Sequence, residues 1–143
     1  MSGDDVASDL DIAWAAGFLD GEGTFGITRN NVIYYNIYVS APQEMRAPLD
    51  KLQWLFGGTV YDPYERSTSF GRSPLYTYSA TGPTAGNLTE AVYPYLMVKK
   101  MEAAFILQYK ALGYVPVGGR LTTDLLRQRS ILYEQFRGAK RGR

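Results

Sequence analysis

The stretch Ala15-Ala16-Gly17-Phe18-Leu19-Asp20-Gly21-Glu22-Gly23 constrains the fold of this chain more than any other. It begins as an apolar helix and ends in two acids set among glycines. The pattern predicts a helix over 10–19, capped by Asp9 or Asp11, apolar nearly all round and therefore buried on all sides. Ala13, Gly17 and Gly21 recur at helical spacing and make a stripe of small residues, along which two helix backbones can approach closely. Asp20 and Glu22 then stand at the helix C-terminus, where the helix dipole disfavours negative charge. One reading is a helix cap followed by a solvated turn. The other is a metal site. Two such helices packed through the stripe bring two acidic ends together, and carboxylates about 4 Å apart repel by several kcal/mol at intermediate dielectric. A divalent cation answers that repulsion. One chain supplies one such helix, so the second comes from a second copy across a two-fold axis.

The rest of the composition narrows the chemistry. The chain has no His and no Cys. Disulfides, Cys/His zinc sites, thiol nucleophiles and histidine acid–base catalysis are excluded. A metal site must then use hard oxygen donors, which favour Mg²⁺, Mn²⁺ or Ca²⁺. The net charge of +1 hides an asymmetry: residues 1–22 hold six acids and no base, whereas residues 23–143 hold fifteen bases and eight acids. A basic body favours polyanionic partners. Twelve tyrosines supply flat faces with polar tips, suited to a recognition surface or to a Tyr-rich sheet. No secretory signal and no membrane-spanning run is visible, so an intracellular, membrane-free protein of unassigned compartment is expected.

Residues 1–9 read as a flexible leader, 10–136 as one domain and 137–143 as a basic tail. Residues 24–30 and 32–40 predict a β-hairpin that turns at Asn30-Asn31, where Asn tolerates positive φ. In the second strand Ile33, Tyr35, Ile37 and Val39 form a core face, and Tyr34, Asn36, Tyr38 and Ser40 form a wet one. A helix is expected over 43–56, ended by Gly57-Gly58. Strands follow over 59–64 and 75–81, then helices over 84–93, 98–112 and 121–136. The last helix places Leu125, Leu126, Ile131 and Leu132 inside and Arg127, Arg129 and Arg137 outside. The order α-ββ-α-ββ-α with extra C-terminal helices defines an α+β domain on one four-stranded antiparallel sheet.

The segment Ile12–Gly23, with its AGFLDGEG core, resembles the LAGLIDADG motif of homing endonucleases. Gly57-Gly58-Thr59-Val60 resembles that family's helix-to-strand step, and Tyr93–Lys100 its later helix boundary, which carries a catalytic-site lysine. The likeness follows the order of elements from about residue 10 to 112. It implies a homodimer with the motif helices packed at the two-fold (Ala13, Ala16, Gly17, Asp20 and Gly21) and a saddle-shaped sheet over the DNA major groove. It implies metal binding at Glu22 and Gly21, a more structural Asp20, and Lys99 at the scissile phosphate, with Lys100 next in register. Mg²⁺ is the expected cofactor, with Mn²⁺ substituting and Ca²⁺ binding without supporting cleavage. In relatives a Gln and a basic residue follow the second strand. Alignment on Leu49-Asp50-Lys51-Leu52 puts Ala41 and Met45 there, with Gln43 and Arg46 nearby as substitutes in the catalytic set.

The expected base readers are Thr28, Asn30, Tyr34, Asn36, Tyr38, Ser40, Tyr61, Arg66, Arg72, Thr77 and Ser79. Alternation instead puts Arg29 on the core face with Phe25 and Ile27. Arg120, Arg127, Arg129 and the 137–143 segment are expected on backbone phosphates, which position without specifying sequence. The expected function is a site-specific, metal-dependent endodeoxyribonuclease. The alternatives are a catalytically silent relative acting as an intron RNA maturase or DNA-binding regulator, and a scaffolding dimer with no nucleic acid.

Overall fold

A computed structural model of the chain describes residues 7–31, 33–63, 74–115 and 118–142. The described elements are α1 (Asp9–Glu22), β1 (Thr24–Asn30), β2 (Tyr34–Gln43), α2 (Ala47–Phe56), β3 (Thr59–Tyr61), β4 (Tyr76–Thr81), α3 (Gly82–Val92), a 3₁₀ turn (Tyr93–Tyr95), α4 (Lys100–Leu112) and α5 (Thr123–Arg141). The strands form one antiparallel sheet in the order β1-β2-β4-β3, so the expected α+β architecture holds.

Strand alternation explains the layering. Phe25 and Ile27 of β1, Tyr35, Ile37, Val39 and Ala41 of β2, and Tyr78 and Ala80 of β4 are buried on one face. Leu19 of α1, Leu49 and Leu52 of α2, Leu88 and Val92 of α3, and Ile106 of α4 complete that core. The helices thus cover one face and leave the other open, as an antiparallel sheet allows. α3 packs on β2, α4 on β1, and α5 on α4 and β1. The hairpin turns through Asn31 at φ +61°, as its sequence requires. Gly57 and Gly58 end α2 at φ +84° and +100°, and the Tyr78 hydroxyl donates to the Gly57 carbonyl at 2.7 Å.

Several boundaries differ from the sequence expectation. Ser8, not Asp9 or Asp11, caps α1: its hydroxyl accepts from the Asp11 N–H at 3.1 Å, and the Asp11 carboxylate accepts from the Ser8 N–H at 3.3 Å. This reciprocal pair is a capping box. α1 runs on to Glu22, so both acids of the motif lie in its last turn. Nor is it buried on all sides: Leu10, Gly17, Gly21 and Glu22 are exposed. β2 continues to Gln43, and α2 starts later, at Ala47, with Pro48 in its first turn. β3 ends at Tyr61, while Tyr64, Arg66 and Arg72 lie outside the described residues. α3 starts at Gly82, and α4 starts at Lys100 with Lys99 as its N-cap. α5 absorbs most of the expected tail, because Phe136 is buried and the helix continues to Arg141.

Two side chains of α5 exchange places relative to expectation. Ile131 is 53% exposed, whereas Arg129 is only 7% exposed. The Arg129 guanidinium lies 4.9 Å from the Tyr109 ring centroid and donates to the Gly113 carbonyl at 3.1 Å, capping the end of α4. Tyr109 in turn donates to the Tyr35 carbonyl at 2.9 Å, which carries the contact into the sheet. Arg129→Ala should therefore cost about 2 kcal/mol in chemical denaturation, the weight of a desolvated cation–π contact and a charged hydrogen bond. Arg127→Ala, which removes only an exposed ion pair with Asp124, should cost less than about 0.5 kcal/mol.

Candidate functional site

The two motif acids have different fates. Asp20 is half-buried and reaches the segment that enters α4, accepting the backbone N–H of Met97 at 2.7 Å and those of Val98 and Lys99 at 3.0 Å each. Burial alone would raise its pKa, but these three donors and the nearby Lys99 charge outweigh that and hold the carboxyl below the ordinary range. Glu22 is exposed and makes neither hydrogen bond nor ion pair among the described residues. The Lys99 ammonium donates to the Gly23 carbonyl, one residue beyond Glu22. One helix end thus carries a fully engaged carboxylate, a carboxylate without a partner among the described residues, and a fixed cation.

The free oxygen donors at this end are the Glu22 carboxylate and the last α1 carbonyls, Gly21 among them, which helix geometry leaves without intrahelical partners. Among the described residues no three acids gather into a metal cluster. A carboxylate and a backbone carbonyl are the hard oxygen donors that divalent cations such as Mg²⁺ and Ca²⁺ take.

The substitute residues are also placed. Gln43 ends β2 opposite Tyr76 and shares the parity of Ala41, on the helix-covered side of the sheet. Ala41 is fully buried and Met45 is 66% exposed. Gln43 is half-buried, and its side-chain oxygen accepts the Glu44 N–H at 2.8 Å. Arg46 does not join Glu22: its guanidinium meets Asp50 at 3.1 Å and Asp62 at 2.8 Å and lies near the Tyr76 ring.

The open face of the sheet collects nine of the eleven expected base readers; the other two, Arg66 and Arg72, fall outside the described residues. Register places Thr28 opposite Asn36 and Asn30 opposite Tyr34. Tyr38 lies opposite Thr81, Ser40 opposite Ser79, and Tyr61 opposite Thr77. Thr24 of β1, two residues beyond Glu22, pairs with Ser40 and opens this face. Thr59 of β3, which pairs with Ser79, belongs to it as well. Arg29 lies on the other side, over the Tyr133 ring at 5.2 Å and 3.8 Å from Glu134, as alternation requires.

Of the expected interface residues on α1, Ala13 is half-exposed, and Gly17 and Gly21 are exposed with open space where a Cβ would stand. Ala16 is corrected: it is fully buried in the chain's own core, because it lies on the face that packs inward with Ala15 and Leu19.

No family model matches this chain, and no curated protein matches it. Solved structures do. I-CvuI, a homing endonuclease in complex with its target in the presence of 2 mM Ca, superposes at a TM-score of 0.68 with 21% identity, over 90% of this chain and 80% of that one. The chain has the homing endonuclease fold. The archaeal intron-encoded homing endonuclease I-Vdi141I, complexed with DNA, gives 0.67 with 18% identity over 91% and 84%. I-TnaI gives 0.60 with 18% identity over 92% and 88%. Among the described residues no helix is long and apolar enough to cross a membrane.

The depressed Asp20 pKa has a definite sign. Its stabilisation is complete above the unfolded-state value near 3.8 and is lost as pH falls through the lower folded-state value. Asp20→Asn should therefore destabilise by about 1–2 kcal/mol near neutral pH, the scale of a lost charged cap. In paired denaturation curves the gap to wild type should narrow progressively below about pH 3.8.

Proposed function

We propose that this chain is a single-motif member of the LAGLIDADG family and a homodimeric, site-specific endodeoxyribonuclease. The observation that carries the reading is the split at the end of α1: Asp20 is spent on structure while Glu22 has no partner among the described residues, beside a lysine held at Gly23. Duplex DNA would lie on the open face of the sheet, whose Thr, Ser, Asn and Tyr side chains suit base-edge hydrogen bonding. A second copy would pack along Ala13, Gly17 and Gly21 and bring a second Glu22 toward the first.

Glu22 and the Gly21 carbonyl would hold a divalent cation, with phosphate, water and the second copy completing the donors. Mg²⁺ is the natural ion, Mn²⁺ a substitute, and Ca²⁺ an ion that binds without turnover. When bound, such an ion polarises a phosphate oxygen and lowers the pKa of water. The chain's own residues do the rest. Lys99 offsets charge that develops on the phosphate, from a position fixed by the Asp20 contact to its backbone and the Gly23 contact to its ammonium. The Gln43 amide retains its N–H donors for the water network at the end of β2. Asp50, Asp62 and Tyr76 hold Arg46, which then acts at most on backbone phosphate.

A second reading has one observation in its favour. Buried Ala41 and exposed Met45 stand where relatives carry a Gln and a base, which fits a nucleic-acid-binding relative that no longer cuts. Selection of cut and bound fragments from a randomised duplex library separates the two. Cutting in Mg²⁺ that falls at least a hundredfold in Glu22→Gln and in Lys99→Met supports the nuclease. Sequence-selective binding without cut ends supports the silent relative.

The dimer has its own test. A Cβ added at Gly17 meets nothing within 4 Å in the chain and leucine improves helix propensity, so circular dichroism should show an intact fold in Gly17→Leu. The bulk should block close helix approach, and sedimentation should show a shift from dimer toward monomer.

A further inference from the structure

Gly26 stands on the open face of β1, directly opposite Tyr38 of β2. That face is otherwise accessible, yet Gly26 is buried, and its cover is the Tyr38 ring. A Cβ at Gly26 would lie 2.7 Å from the Tyr38 hydroxyl oxygen and 2.8 Å from two of its ring carbons. Tyr38 therefore lies down across β1 instead of standing up from the sheet. Its hydroxyl is partly desolvated there, which raises its pKa. The rows on either side carry short polar side chains: Thr24, Ser40, Ser79 and Thr59 in one, Thr28 and Asn36 in the other. In Tyr38's own row, Thr81 follows on β4. The β1 edge of the open face thus carries a flat aromatic plate between two rows of hydrogen-bonding groups.

We propose that Gly26 and Tyr38 act together as a specificity-determining pair that reads the C5-methyl of one thymine in each half-site. The inference rests on the reading that this face binds duplex DNA. Among the bases, thymine alone presents a methyl in the major groove, and apolar side chains recognise it by contact. A ring lying flat lacks the two-pronged hydrogen bonding with which Asn or Arg selects adenine or guanine. A plate level with Ser and Thr admits a base edge that an upright tyrosine would hold off. Glycine within a strand weakens it and marks a place of close backbone or ligand approach. Gly26 is the positioning residue of the pair, because any side chain there lifts the ring.

An aromatic ring over a strand glycine also stabilises a sheet without any ligand, so the test reads the methyl itself. In the duplex site selected by the wild-type protein, each thymine is replaced in turn by deoxyuridine, which removes only the methyl. Binding is followed by fluorescence anisotropy in Ca²⁺. One symmetry-related pair of positions should weaken roughly fourfold per methyl lost, the weight of one buried methyl group. Tyr38→Ser and Gly26→Ala should abolish that dependence at this pair and leave the other positions unchanged, whereas Tyr38→Phe should keep it. Circular dichroism checks each fold. If Gly26→Ala fails to fold, the two Tyr38 variants still decide. A selected site with no methyl-dependent pair, or a dependence that survives Tyr38→Ser, overturns the proposal while leaving DNA binding intact. A wild-type protein that selects no duplex overturns the DNA-binding reading, and this proposal with it.

Discussion

Three backbone N–H groups converging on the Asp20 carboxylate tie the end of α1 to the start of α4, and the rest of the site depends on that contact. It fixes where Lys99 leaves the backbone, and from there the ammonium reaches Gly23 at the entry to β1. A carboxylate at a helix C-terminus opposes the helix dipole. Here the segment that enters α4 supplies the compensation, through a run of consecutive N–H groups of the kind that binds anions. Glu22 lies two residues on, turned roughly 200° around the helix, and shares none of these donors. Two acids in one turn thus meet different surroundings.

Charge is distributed unevenly over the domain. The described residues of the open sheet face carry hydroxyls, amides and aromatic rings, and none carries a formal charge. The cations lie elsewhere and many are occupied. Lys51 meets Asp11 at 3.3 Å and the Trp14 ring at 4.5 Å, joining α2 to α1. Arg46 is held by two aspartates, and Arg129 is buried. Arg137, Lys140 and Arg141 instead rim a cavity of about 360 Å³ floored by Ile27, Tyr133 and Phe136, where the last turns of α5 pass β1. On the proposed function, the described part of the reading face would discriminate bases through uncharged groups. A neutral face can discriminate bases without the nonspecific affinity that cations on it would add.

How much of this was legible in the sequence depended on how local each signal was. The alternation in residues 34–40 gave the face of every β2 side chain there, and Asn31 announced its own turn. The motif announced the acids, but the division between them was hidden, because the Asp20 donors come from 77 to 79 positions away. The extension of β2 was hidden by Pro42. That proline lies beyond the last β1 pairing at Ser40, where one side of β2 has no strand partner and a missing N–H is tolerated. The burial of Arg129 is not legible locally, because its charge suits solvent as well as a carbonyl-and-ring pocket, and the Tyr109–Gly113 pocket forms only when α4 and α5 meet. Gly26 carries a local signal of its own: a glycine inside an otherwise regular strand marks a place where something lies over it.

The departure at Ala41 can be sharpened by register. Positions 41 and 43 share a face, so Gln43 is the nearest residue along β2 that presents an amide on the side Ala41 occupies. Moving two residues along a strand displaces the amide by about 7 Å. In the same rotamer the Gln43 amide would therefore stand beyond one hydrogen bond from the atom that a glutamine at position 41 addresses, and an intervening water would bridge the difference. Met45 is a surface side chain without a charge to offer, and Arg46, next to it, is already neutralised. Cleavage by this chain would then rest on Glu22 and Lys99 with less support from the end of β2. A site reduced in this way loses rate before it loses affinity, because the reading face and the α1–α4 junction do not involve positions 41 and 45.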